Sequence, residues 1–258
     1  MQLLGKNVVV TGAGGGIGRA LVRRFLSEGA NAIVAADINI IGAQETAKES
    51  GCLAMAVDVS KEQDVIGLIE DAESAIGPID LFCSNAGVFT GESEASPNEQ
   101  WQLSWDVNVM SHVYAARHLV PRMISRGGGY LLNTASAAGL LNQVGGAAYG
   151  TSKHAAVGFA EWLAMTYAHD GIKVSLLCPQ AVRTAMTANE SEGSRAAAGD
   201  GMMEPEELAD VVVEHLEREE FLILTHPEVK TYMQRKSSDY NRWISGMNRL
   251  YRKLAGLS

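Results

Sequence analysis

Tyr149 and Lys153 stand four positions apart in the run Tyr149-Gly150-Thr151-Ser152-Lys153. A helix through this stretch carries a phenol and an ammonium one turn apart on the same face. A tyrosine phenol titrates at about 10, too high for a base near neutrality. A neighbouring cation favours the phenolate and lowers that value. A lone Tyr-x-x-x-Lys is a weak signal, but its polar neighbours come in an informative order. Upstream lie Ser84-Asn85-Ala86-Gly87, then Asn108 within Val107-Asn108-Val109, then Ser136. Each residue has an ordinary alternative: a serine after a strand caps a turn, and an asparagine in a helix bonds backbone.

The elements that must position these residues alternate short apolar runs with longer helical stretches. Strands are expected at Asn7–Thr11, Asn31–Ala36, Leu53–Val57, Leu81–Ser84, Tyr130–Thr134, Lys173–Cys178 and Phe221–Thr225. Their near-continuous Val, Ile, Leu, Ala and Cys suit strands covered on both faces. Helical spacing recurs at Ile17, Ala20, Leu21 and Phe25, and at Val65, Leu68, Ile69 and Ala72. Trp105–Ser125 and Ala147–Ala168 read as two long helices. The right-handed crossover rule folds these units into one α/β domain over residues 1–258, a Rossmann-type doubly wound parallel sheet of about seven strands with a C-terminal helical extension.

The first strand runs into Thr11-Gly12-Ala13-Gly14-Gly15-Gly16-Ile17-Gly18, and a helix follows at once. Glycines allow a tight turn and a close backbone approach to a pyrophosphate, and the helix N-terminus offers N–H groups to the anion. The strand–turn–helix context is the one a dinucleotide motif requires. Nineteen positions after Gly18, Asp37 ends the second strand. An acidic side chain there can accept from both adenosine ribose hydroxyls and repels a 2′-phosphate, so NAD is expected ahead of NADP. The plain alternative is that Asp37 caps the following turn. Arg19 is the nearest basic residue.

At this point the sequence resembles the classical short-chain dehydrogenase/reductase family over nearly the whole chain. The glycine motif matches Thr11 to Gly18, with Gly12, Gly14, Gly16, Ile17 and Gly18 toward the cofactor. The family's Asn-Ala-Gly motif matches Asn85, Ala86 and Gly87, and its catalytic Asn, Ser, Tyr and Lys fall on Asn108, Ser136, Tyr149 and Lys153. Asp58-Val59 looks like the adenine contact, and Pro179, Val182 and Thr184 resemble the nicotinamide segment. The resemblance implies hydride transfer between a secondary alcohol or ketone and nicotinamide. Tyr149 would be the general base or acid, and Ser136 would hold the substrate oxygen. Lys153 would hold the nicotinamide ribose, and Asn108 would support a water chain to solvent. Two departures stand out: Gln180 replaces the usual glycine after Pro179, and the common Asp-Gly-Gly ending is missing.

The pocket is expected to be apolar, with Val88, Leu140, Val144, Gln180 and Met186 around it and Phe89, Leu141, Met202 and Met203 nearby. No Arg or Lys obviously faces it, so the expected substrate is a hydrophobic secondary alcohol or ketone. Residues 187–203 lack an apolar period and read as a substrate lid or a solvated loop. In the tail, residues 227–258, Tyr240, Trp243, Ile244, Met247, Leu250, Tyr251 and Leu254 form an apolar stripe among basic residues. Packing on its own or a partner subunit is expected ahead of an interfacial membrane helix.

A net charge of −9 argues against nucleic acid as partner. Cys52, Cys83 and Cys178 have no metal-ligand spacing and read as free thiols, and no metal is expected. No signal peptide or spanning segment is apparent, so a cytoplasmic location is expected, while the family resemblance implies a homodimer or homotetramer. Two rival readings remain open: a non-catalytic NAD-binding regulator or scaffold on the same fold, and an NADPH-linked ketone reductase.

Overall fold

A computed structural model of the protein describes residues 1–188 and 198–257. Seven strands form one sheet: β1 (Asn7–Thr11), β2 (Ala32–Asp37), β3 (Leu53–Ala56), β4 (Leu81–Ser84), β5 (Gly129–Thr134), β6 (Ile172–Cys178) and β7 (Leu222–Leu224). All pairings are parallel, in the order β3-β2-β1-β4-β5-β6-β7. The order reverses between β1 and β4, and the crevice at their carboxyl ends is where such sheets take ligands.

The two-residue period of a strand divides the core. Val9, Val34 and Ala36 face one layer, while Val8, Val10, Ile33 and Ala35 face the other. The first layer is covered by α3 (Glu62–Ile76), α5 (Ser111–Ser125) and α7 (Ala147–Tyr167). The second is covered by α1 (Gly16–Ser27) and α8 (Pro205–Glu217). Between β2 and β3 runs α2 (Ile40–Ser50), and α4 (Asn98–Trp105) precedes α5.

The expected single helix from Trp105 is interrupted. Asp106–Met110 forms a π turn between α4 and α5, closed by the Ser111 amide donating to the Asp106 carbonyl five residues back. The wider turn accommodates one extra residue in the helix, a device frequent at functional sites, and here it buries Asn108 completely.

The tail forms two helices, α9 (Glu228–Ser238) and α10 (Tyr240–Leu254). Lys236 Nζ on α9 donates to the Leu140 carbonyl at 2.7 Å, at the end of the short helix α6 (Ala137–Leu141). α10 leans on α9 through Tyr232 and Trp243, whose ring centroids are 6.4 Å apart. None of its residues is buried, and Tyr240, Ile244 and Tyr251 stay exposed. Thus α9 packs on its own subunit, while much of the α10 stripe has no cover. Of the expected lid, residues 189–197 lie outside the described residues. Its flanks form short turns at Ala185–Thr187 and Ala198–Asp200, and Met203 pairs with Val182. Among the described residues no helix is long and apolar enough to cross a membrane.

Candidate active site

The chain leaves β1 through Gly12, whose φ is +68°. A Cβ there would lie 2.9 Å from the Ala86 Cα, and one at Gly18 would lie 2.1 Å from the Gly12 carbonyl oxygen. Only glycine fits either place. Gly15 caps α1 without a side-chain bond to its first turn, which contains no acidic residue, and a Cβ at Gly15 would meet open space. The N-terminus of α1, with its unpaired N–H groups and positive dipole end, is therefore open to an anion. Gly12, Gly15, Gly16, Ile17 and Gly18 border a cleft of about 320 Å³.

Asp37 also borders this cleft, and its carboxylate shapes the loop beside it. Oδ2 accepts from the Gly14 amide at 2.8 Å and Oδ1 from the Asn39 amide at 2.8 Å. Arg19 is turned to structure: it donates to the Gly14 carbonyl at 2.7 Å and to Thr46 Oγ1 at 2.9 Å, and pairs with Glu45 at 3.2 Å. Asp58 and Val59 do not border the cleft. The Asp58 carboxylate accepts from the Ser60 hydroxyl at 2.6 Å and pairs with Lys61 at 3.1 Å. Burial pushes its pKa up, but these bonds outweigh burial and hold it below the usual range. Val59 is buried in the core.

Thr11 ties β1 to the loop after β4. Its hydroxyl donates to the Cys83 carbonyl at 3.2 Å and accepts from the Asn85 and Ala86 amides at 3.0 and 3.2 Å. Asn85, Ala86 and Gly87 thereby form the cleft floor. Asn108 clamps the next residue, accepting from the Val88 amide at 3.0 Å and donating to the Val88 carbonyl at 2.9 Å and to Ser152 Oγ at 3.0 Å. A Cβ on Gly87 would sit 3.3 Å from Asn108 Oδ1 and 3.4 Å from Lys153 Nζ, so glycine lets both approach the floor.

Lys153 is buried, and its Nζ donates to the Thr134 carbonyl at 3.0 Å and stands 5.8 Å from the centre of the Tyr149 ring. Burial lowers its pKa to about 8. Burial raises the Tyr149 pKa, and a hydrogen bond with Ser136 acts against that rise. Ser136 also caps α6, accepting from the Ala138 amide at 3.1 Å, and its hydroxyl donates to the Pro179 carbonyl at 3.3 Å. The turn-capping alternative for this serine is thus met, and its hydroxyl also stands beside Tyr149. Pro179, Val182, Thr184 and Met186 complete the cleft wall.

A second cavity of about 430 Å³ shares Ser136 and Gln180 with the first. Val144 and Gln180 line it, as does Leu141. Leu140 and Val88 instead pack against the core. The remaining wall comes from the tail: Tyr232, Arg235, Trp243, Met247 and Leu250. Gln180 Nε2 donates to Asp200 Oδ2 at 2.9 Å, and the Tyr232 hydroxyl donates to Asp200 Oδ1 at 2.8 Å. A glycine at position 180 could not make this tie. Sequence reasoning saw the tail stripe but not this destination, because the contact joins segments far apart in the chain. Among the described residues no group of His, Cys, Asp and Glu is placed to hold a metal ion.

Comparison with known proteins gives this geometry its setting. A model of the short chain dehydrogenase family matches residues 6–195. The chain belongs to the short-chain dehydrogenase family. A 1-deoxy-11-beta-hydroxypentalenate dehydrogenase of Streptomyces exfoliatus is 33% identical over 254 residues, covering 95% of this chain and 92% of the relative. A 3beta-hydroxysteroid dehydrogenase 2 of Eggerthella lenta is 37% identical over 190 residues, covering 70% and 73%. Among solved structures, a short-chain dehydrogenase/reductase of Burkholderia phymatum in complex with NAD superposes with a TM-score of 0.85 at 29% identity, covering 93% of this chain and 96% of that one. This short-chain dehydrogenase is an oxidoreductase acting on CH–OH groups. Its glycine cradle, open helix N-terminus and adjoining cleft fit the nucleotide cofactor of the family.

Proposed function

We propose that the protein is an NAD-dependent dehydrogenase that interconverts hydrophobic secondary alcohols and ketones, with Tyr149 as the group that takes or returns the hydroxyl proton. The observation that carries the cofactor choice is the pairing of Asp37 at the cleft with Arg19 bound to Gly14, Thr46 and Glu45. A 2′-phosphate there would face a carboxylate, with the nearest guanidinium already engaged. The NAD of the Burkholderia phymatum structure and the NADH of a Brucella melitensis 3-ketoacyl-(acyl-carrier-protein) reductase, 30% identical, agree with this choice.

In this reading Gly12 to Gly18 with the α1 N-terminus hold the pyrophosphate, and Asp37 holds the adenosine ribose. The family resemblance would put Asp58 and Val59 on the adenine side, although neither borders the cleft and Val59 is buried. Asn85, Ala86, Gly87, Pro179, Val182 and Thr184 hold the nicotinamide half. A bound nicotinamide would supply the acceptor or donor of the hydride exchanged with the carbinol carbon. Ser136 Oγ bonds the substrate oxygen and fixes it beside Tyr149 Oη. Tyr149 Oη removes the hydroxyl proton, and the Lys153 ammonium favours the resulting phenolate. Lys153 Nζ would also hold the nicotinamide ribose. Asn108 positions Val88 and Ser152, and through them the wall behind Lys153.

The apolar lining of the second cavity, with Leu141, Val144, Trp243, Met247 and Leu250, supports a hydrophobic substrate. The named activities of the hydroxysteroid and hydroxypentalenate relatives point the same way. A second copy of the chain is the proposed partner, on the apolar groove between α5 and α7 lined by Val120, Ile124, Phe159 and Trp162. Parallel titration with NADH and NADPH by nicotinamide fluorescence, followed by an NAD-linked screen of hydrophobic alcohols, tests the reading. Equal or tighter NADPH binding overturns the cofactor choice; binding without turnover of any alcohol turns the reading toward a scaffold.

A further inference from the structure

We infer that the C-terminal tail carries an anion-binding site, built from Arg235, Arg242 and Arg249, that receives the acidic end of an otherwise apolar substrate. The inference rests on the proposed reading of Ser136 and Tyr149 as the reacting end. It deepens that reading by naming the substrate class: an amphiphile with a carboxylate, sulfate or similar anion remote from the secondary alcohol.

Three observations carry it. First, the substrate-side cavity continues past its apolar wall. Arg235, Trp243 and Met247 border both that cavity and a further hollow of about 480 Å³, which Arg242 and Arg249 also line. A path therefore runs from Ser136, past Leu141 and Trp243, to the three guanidinium groups.

Second, these guanidinium groups pair with no acidic group among the described residues. Arg19, Arg23, Arg24, Arg117, Arg122, Arg126, Arg183 and Arg218 each pair with a carboxylate. Arg235, Arg242 and Arg249 form no salt bridge among the described residues. Arg235 lies instead over the Tyr232 ring, 5.8 Å from its centre. In a protein of net charge −9, three uncompensated like charges around one hollow repel each other and gain most when an anion neutralises them.

Third, Asp200, the acidic residue among those lining this cavity, is already engaged. Both oxygens of Asp200 accept bonds, from Gln180 at 2.9 Å and from Tyr232 at 2.8 Å. That tie fixes α9, and with it Arg235, against the segment after β6. Planar guanidinium groups present paired donors that match a carboxylate or sulfonate, and Trp243 and Met247 offer the adjoining apolar surface.

The test uses the full chain with NADH bound and two matched fluorescent probes: anilinonaphthalene sulfonate and its neutral counterpart, N-phenylnaphthylamine. Wild type is expected to bind the sulfonate at least about tenfold more tightly than the neutral probe. In Arg235→Gln/Arg242→Gln/Arg249→Gln the sulfonate is expected to weaken about tenfold or more, while the neutral probe changes less than about twofold. Equal affinity of the two probes in wild type, equal loss of both in the variant, or no binding of either overturns the site. Sedimentation with vesicles of anionic phospholipid supplies the competing outcome. Arginine-dependent co-sedimentation without probe selectivity assigns the cluster to a membrane surface and overturns the substrate role. NADH affinity in the same samples reports separately on the cofactor reading, so loss of NADH binding in wild type and loss of anion selectivity are distinct results.

Discussion

Asp37 Oδ2 accepts from the Gly14 amide at 2.8 Å, so the side chain proposed to hold the ribose also fixes the glycine loop. Removing it strikes cofactor affinity twice, through the lost ribose contact and through the loosened loop. A hydrogen bond to a charged group contributes about 1.5–3 kcal/mol, so Asp37→Ala is expected to weaken NADH about 10- to 100-fold. Asp37→Asn keeps an acceptor for Gly14 and removes the charge. It is expected to lose less NADH affinity while gaining affinity for NADPH. Fluorescence titration of both variants checks this, and wild-type NADH affinity in Asp37→Ala would sink it.

The same contact makes Gly14 a steric position. A Cβ there would lie 2.9 Å from the Asp37 Cγ and Oδ2, closer than real contacts allow. Gly14→Ala is expected to destabilise the fold by about 1–3 kcal/mol, as overpacking does, and to weaken cofactor binding. If Asp37 is the obstacle, the double variant Gly14→Ala/Asp37→Ala loses less than the sum of the two singles. Denaturant midpoints for the four proteins decide; simple additivity would place the clash elsewhere.

Much of this was legible in the sequence because the signals were local. Seven apolar runs bounded by turns predicted the strands to within one residue at every end, and β1 and β4 matched in full. The cleft followed from order along the chain, since parallel strands bring Gly12, Asn85, Ser136 and Pro179 to one edge. What escaped had no local signature. The π turn at Asp106–Met110 depends on one displaced hydrogen bond, and the Lys153 partner is a backbone carbonyl, which any residue at 134 would supply. The Asp200–Tyr232 bond joins residues 32 positions apart with no shared period. The apolar pocket was expected on Val88 and Leu140, yet the clamp on Val88 and the packing of Leu140 leave the tail to finish the wall.

Gln180 is where this chain departs from the residue usual in its family, and its amide reaches Asp200 at 2.9 Å. Gln180→Gly is expected to free Asp200 and the tail from the cleft wall. The consequence falls on substrate holding more than on chemistry, so KM for a hydrophobic alcohol rises several-fold, about 1 kcal/mol for a hydrogen bond of this kind, while kcat changes less. Asp200→Asn, whose carboxamide oxygen can still accept from Gln180 while its nitrogen donates to the Tyr232 hydroxyl, is expected to show a smaller rise. An unchanged KM in Gln180→Gly would mean that the tail is held without this tie.

Tyr149 begins with its pKa raised by burial against the pull of Ser136, while burial lowers Lys153 to about 8. Lys153 in the cofactor-free protein therefore loses its charge as pH rises through about 8. A positive nicotinamide adds a second charge favouring the phenolate, so NAD binding is expected to bring Tyr149 ionisation down in pH. The tyrosinate absorbance difference between wild type and Tyr149→Phe, with and without NAD, reads that shift. Tyr149→Phe is also expected to lose about 10²- to 10⁴-fold in kcat with NADH affinity nearly intact. Retained turnover would move the proton to another group.

His112 sits on α5, buried, where burial first and the Lys153 charge second push its pKa to about 3, against a smaller opposing pull from Asn133. In the unfolded chain the same imidazole titrates at about 6.5. Between those values the unfolded chain binds a proton that the fold excludes. The stability attached to a neutral His112 is therefore fully present above about pH 6.5 and is lost as pH falls toward 3, with a slope approaching about 1.4 kcal/mol per pH unit. Carboxylates held low by their partners, such as Glu62 and Glu73, enter only below their unfolded values near 4.5. Denaturant midpoints between about pH 6.5 and pH 5 therefore isolate the histidine. His112→Leu removes the titrating ring and keeps the site apolar. It is expected to flatten the decline across that window, whatever its effect on stability at neutral pH. A slope identical to that of wild type would show that the acid sensitivity belongs to another histidine.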